Sequence, residues 1–82
     1  LTVTGDILPE ANGTRDLGTS SYRWRNIYTS DLDLSNESRK DEGGNEVDGT
    51  WGAYTIQEGE DDLFLINRRS GKRYKFNLTE VD

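Results

Sequence analysis

The longest unbroken apolar run in this chain is Leu63-Phe64-Leu65-Ile66. A run that short suits a single strand and falls far below the ~20 residues a membrane span requires. Apolar residues make up 30% of the 82 positions and charged residues 32%, so one modest core is the most the chain can build. A domain of this size buries only roughly 60% of the surface its unfolded chain exposes, and disulfides, metals or association usually make up the deficit. With neither Cys nor His, the chain lacks disulfides, thiolate sites and the commonest metal ligand. Association is the remedy left, and no cofactor or metal is expected.

The net charge of −6 argues against a nucleic-acid partner or an anionic membrane surface, which such a chain would repel. No leader pattern or membrane insertion is expected either. The absence of Met and the start at Leu1 lead us to expect a piece of a longer polypeptide.

Leu1 to Leu8 alternates apolar and polar residues up to Pro9 and predicts one or two short strands. Glu10 to Ser21, with Asn12-Gly13 and Gly18, is loop. Trp24, Ile27 and Tyr28 stand at i, i+3 and i+4, which predicts a short helical turn capped by Ser20 or Ser21, with Arg23, Arg25 and Asn26 pointing away. In Asp31 to Ser35 the period becomes two: Leu32 and Leu34 on one side, Asp31, Asp33 and Ser35 on the other. Glu37 to Gly49 has Val47 as its one apolar residue and is expected to be a mobile acidic and glycine-rich link. Trp51 to Gln57, Asp62 to Arg68 and Arg73 to Val81 then predict a three-stranded antiparallel meander. The organisation expected is therefore residues 1–36, a link at 37–49 and a meander at 50–82.

The last hairpin admits two registers. A two-residue Ser70-Gly71 turn pairs Leu65 with Phe76, whereas an Arg69-Ser70-Gly71 loop with a left-handed Gly71 pairs Phe64 with Phe76. One residue of slip exchanges the faces. Either way an apolar pair is left on the second face, for which another subunit is the economical cover.

Three groups of residues invite a chemical role. Asp31, Asp33, Ser35, Glu37 and Glu42 approach calcium-loop spacing, but Asn36 stands where that loop needs glycine, so a solvated strand face is expected. Glu58, Glu60, Asp61 and Asp62 surround Gly59 in a turn, with no nucleophile motif beside them; an enzyme is not expected. Arg68, Arg69, Lys72, Arg73 and Lys75 crowd the opposite turn around Tyr74 and Phe76. In so acidic a chain they suit salt pairing with a neighbour, or an anionic cell-surface glycan, better than a single-stranded nucleic acid. The tryptophans and tyrosines could stack on sugars, but in a chain this poor in apolar residues they are expected to form its core.

The stretch Asp16-Leu17-Gly18-Thr19-Ser20-Ser21-Tyr22-Arg23-Trp24-Arg25-Asn26-Ile27-Tyr28 resembles the DLGSSS.RWRNIY segment of bacteriophage tail fibres and tailspikes, over about Gly5 to Asn36. Trp51 to Phe76 is also similar to carboxy-terminal segments of virion structural proteins from phages of marine bacteria. The resemblance implies a parallel, intertwined homotrimer with Leu17, Trp24, Ile27, Tyr28, Leu32 and Leu34 at the chain interface. It implies residence in the virion, and outside the cell after release. In many relatives the motif precedes a self-cleaving chaperone domain; a short meander follows here instead, so autocleavage does not carry over. The fold expected is all-β with one short helical turn. The function expected is registering three fibre chains near a carboxy-terminal tip, with Arg68, Arg69, Lys72 and Arg73 as candidate receptor contacts. The alternative is a glycan-binding module for a host surface polysaccharide.

Overall fold

The computed structural model describes residues 2–82. Its regular structure is one antiparallel sheet of order β1-β2-β3-β4, made of β1 (Leu32–Ser35), β2 (Ala53–Glu58), β3 (Leu63–Asn67) and β4 (Arg73–Lys75). One 3₁₀ turn, Glu37–Arg39, follows β1. The chain is thus all-β with one helical turn, but that turn is not at Trp24.

Residues 22–28 form no helix. Three apolar positions at helical spacing cannot nucleate a helix in water without a surface to pack on, and Trp24 and Tyr28 are 65% and 92% exposed. A tight turn precedes them, in which Thr19 and Tyr22 exchange backbone hydrogen bonds of 3.1 and 3.2 Å. The strand expected in residues 1–8 is also absent over 2–8, where no neighbouring segment offers a ladder; Leu1 lies outside the described residues.

The meander is present, with a third hairpin register. β3 pairs with β4 through Phe64↔Lys75, Leu65↔Tyr74 and Ile66↔Arg73. Asn67 decides this: its Oδ1 accepts from the backbone N–H groups of Arg69 (3.0 Å) and Ser70 (3.2 Å), so the loop begins at Arg68, one residue before the expected three-residue loop and two before the expected two-residue turn. The Arg68 N–H meanwhile remains committed to Ala53 O at 2.7 Å. Gly71 does take the left-handed conformation, at φ 78°. β4 is shorter than expected because its partner ends: Phe76 N donates to Leu63 O (3.0 Å), and beyond Leu63 β3 turns away.

Residues 37–49 are not a featureless link. Asn45 Oδ1 accepts from Val47 N (2.7 Å) and Asp48 N (2.9 Å), while Asn45 Nδ2 donates to Asp48 Oδ1 (2.8 Å) and to Thr50 O (2.9 Å). Side-chain to backbone bonds give this segment its form where apolar burial could not. Asn36 closes it: its N–H donates to Gly52 O (3.3 Å) and its Oδ1 accepts from Gly52 N (2.9 Å), continuing the β1–β2 ladder by one rung.

Among the described residues no apolar side chain is buried. The one buried side chain is that of Thr55, at 3% exposure.

Candidate functional site

Cross-strand pairing sorts the sheet into two unlike faces. On one, Leu32, Ile56, Leu65 and Tyr74 form an apolar row across all four strands, flanked by Leu34 and Tyr54 on one side and Leu63 on the other. Leu32, Leu34 and Tyr74 on this face are each close to half exposed. The opposite face carries Asp33, Thr55, Ile66 and Arg73 in one row and Gln57, Phe64 and Lys75 in the next.

The polar face is tied together by side chains. Thr55 Oγ1 donates to Asp33 Oδ1 (2.8 Å) and accepts from Arg68 Nε (3.0 Å); Gln57 Nε2 donates to Asp31 Oδ2 (2.9 Å). Asp31 and Asp33 are thereby engaged across the sheet, and Ser35 Oγ accepts from Glu37 N (3.2 Å). Among the described residues no group of three or more acidic side chains is placed to hold a metal ion. Glu58, Glu60, Asp61 and Asp62 are exposed around the turn that Gly59 N closes on Asp62 O at 2.8 Å.

The basic cluster divides. Arg68, Arg73 and Lys75 line one groove of about 670 Å³ with Gln57, Phe64, Ile66 and, on the edge strand β4, Tyr74. Arg69 leaves the cluster: its guanidinium lies over the Trp51 ring and its Nη1 donates to Trp51 O. Lys72 is exposed at the end of the loop and is not part of the groove. The only ion pairs among the described residues are Arg15 with Glu10 and Lys40 with Glu37, so none of the groove cations makes a direct ion pair, and Arg68 reaches Asp33 only through the Thr55 hydroxyl. Gln57, Phe64 and Ile66 were not among the residues singled out for binding; their signal was the register, which two-fold alternation alone leaves undetermined.

Of the residues expected at a chain interface, Leu17, Trp24 and Ile27 share one open hollow whose other walls are polar, and Arg23, expected to point away from them, lines the same hollow because no helix forms to separate the faces. Gly18 is left-handed (φ 87°), and a Cβ there would lie 3.0 Å from the Tyr22 carbonyl oxygen, so the tight turn ahead of Trp24 favours glycine. Tyr28 lies in a separate hollow with Trp24, Arg25 and Asn26. Leu32 and Leu34 belong to the apolar sheet face.

Fold and surface together define a small open β-meander with one apolar and one polar face. No family model matches the chain, and no curated protein or solved structure is significantly similar to it.

Proposed function

We propose that this chain is a structural segment of a phage tail fibre, in which three copies around one axis complete a core that none builds alone. The observation that carries the proposal is surface. A compact monomer of this mass would expose roughly 5,000 Å², whereas this chain exposes 8029 Å² at 9.3 kDa. The surplus of roughly 3,000 Å² is the size of an obligate subunit interface. Its radius of gyration, 15.7 Å, is likewise larger than the roughly 12 Å of a compact chain of this length.

Two surfaces supply the material: the apolar sheet face around Leu32, Ile56, Leu65 and Tyr74, and the mixed hollow in which Leu17, Trp24 and Ile27 lie exposed among polar residues. The threefold rests on the likeness of Asp16 to Tyr28 to the tail-fibre segment. Such a chain acts by registering its copies, and no step of bond chemistry is assigned to it. Light scattering tests it directly: a trimeric mass at micromolar concentration is expected, and a monomeric mass with the sheet intact overturns it.

A further inference from the structure

We infer that the groove of the polar face, where Arg68, Arg73 and Lys75 surround Phe64 and Ile66 and which reaches Tyr74 at the β4 edge, binds a carboxylate-bearing saccharide. Three cations converge there in a chain whose net charge is −6, and none has a carboxylate partner within ion-pair distance among the described residues. An anion is the complement that such a cluster lacks.

The cations are not loose. Thr55, almost wholly buried, holds Arg68 by Nε and is itself anchored on Asp33, which leaves the two terminal nitrogens of the guanidinium to meet a planar carboxylate. Thr55 is thus a positioning residue. Arg73 stands two strands from Thr55, across Ile66, so the cations flank an apolar floor.

That floor selects the kind of anion. Phe64 leans toward the turn at Gly59, where a Cβ would come within 2.5 Å of its Cε2. Its ring is partly exposed beside Ile66 and next to the Gln57 amide. A sugar ring offers apolar C–H groups to an aromatic face and hydroxyls to an amide, and a uronic acid adds the carboxylate. An acidic peptide offers the charge without the ring. The groove volume, about 670 Å³, lies within the ~300–1,000 Å³ of small-ligand clefts. Its outward orientation rests on the apolar face being the one covered by other copies, as proposed above.

Calorimetric titration of the full chain with oligogalacturonate tests this, beside a neutral maltodextrin and a polyglutamate of equal charge. Oligogalacturonate is expected to bind, with roughly tenfold or greater loss in Arg73→Ala, whose exposed side chain makes no hydrogen bond among the described residues, and no loss in Arg69→Ala. Equal binding of polyglutamate, an undiminished Arg73→Ala, or no binding of oligogalacturonate overturns it. Light scattering on the same samples separates the two proposals: an assembly that does not bind refutes only the saccharide site, and a monomer that binds refutes only the assembly.

Discussion

The guanidinium of Arg69 sits 3.8 Å from the centroid of the Trp51 ring, and Arg69 Nη1 donates to the carbonyl of that same tryptophan at 2.8 Å. One side chain therefore clamps the entry of β2 to the β3–β4 loop. Arg69→Ala is expected to cost about 1 kcal/mol, from an exposed cation–π contact and one hydrogen bond. Arg69→Lys should recover only part of this, since ammonium lacks the planar fork. Chemical denaturation followed by tryptophan fluorescence measures both; a Lys variant as stable as the parent would show that charge alone suffices.

Gly44 is buried and left-handed at φ 61°, and a Cβ there would lie 2.5 Å from the carbonyl oxygens of Gly49 and Thr50. Gly43 is left-handed too, with nothing within 4 Å. Gly43→Ala should cost about 1 kcal/mol through backbone strain alone, and Gly44→Ala distinctly more, because the loop must open. Thermal melts of the two variants read the difference, and equal midpoints would mean that the loop is not packed as described.

Asp48 is held below the usual carboxylate range, first by the Thr50 hydroxyl, then by the Asn45 amide and the Thr50 N–H. The folded loop therefore binds a proton less readily than the unfolded chain. Its contribution is fully present above the unfolded value and is lost as pH falls through the folded one. Amide protection at Thr50, whose N–H donates to Asp48 Oδ1, should decline in that acid window and stay level at neutral pH. The same profile in Asp48→Asn would assign the decline to another group.

Trp24→Ala distinguishes an isolated chain from an assembled one. With its ring 65% exposed in a single chain, little stability should be lost if that chain is the working form. In the proposed assembly the loss is roughly 3–5 kcal/mol per site, and the melting midpoint becomes concentration-dependent. Melting curves at several protein concentrations decide it: a Trp24→Ala variant that melts like the parent removes the indole from any interface.

Leu65→Lys probes the apolar sheet face at the centre of its four-strand row. If copies cover that face, a buried unpaired charge should dissociate them, whereas Lys75→Glu on the opposite face should leave the mass unchanged. Light scattering reads both, and the reverse pattern would put the interface on the polar side.

β1 and the meander are legible in the sequence because alternation and turn residues agree there: Leu32 and Leu34 against Asp33 and Ser35, then three runs punctuated by Gly59 and Gly71. Trp24, Ile27 and Tyr28 misled because three positions satisfy a helical period without specifying a helix. The form of 37–49 does not show in apolar content, because side-chain to backbone hydrogen bonds rather than burial order it. Asn45, Asp48 and Thr50 sit at the spacing of side-chain-capped turns, and that was the available signal. The groove depended on register, which Asn67 sets through its own side chain.

The Asn36–Gly52 rung carries a consequence for how such a chain can change over generations. Everything between those two residues leaves the sheet and returns to the same rung, so β1 and β2 keep their pairing when the excursion changes outside the packed turn from Gly44 to Thr50. Lengthening it there costs little beyond loop closure, about 0.6 kcal/mol for each doubling. The excursion is thus a cassette: a stretch where variants, inserted epitopes or affinity handles can be exchanged while the four strands remain in step.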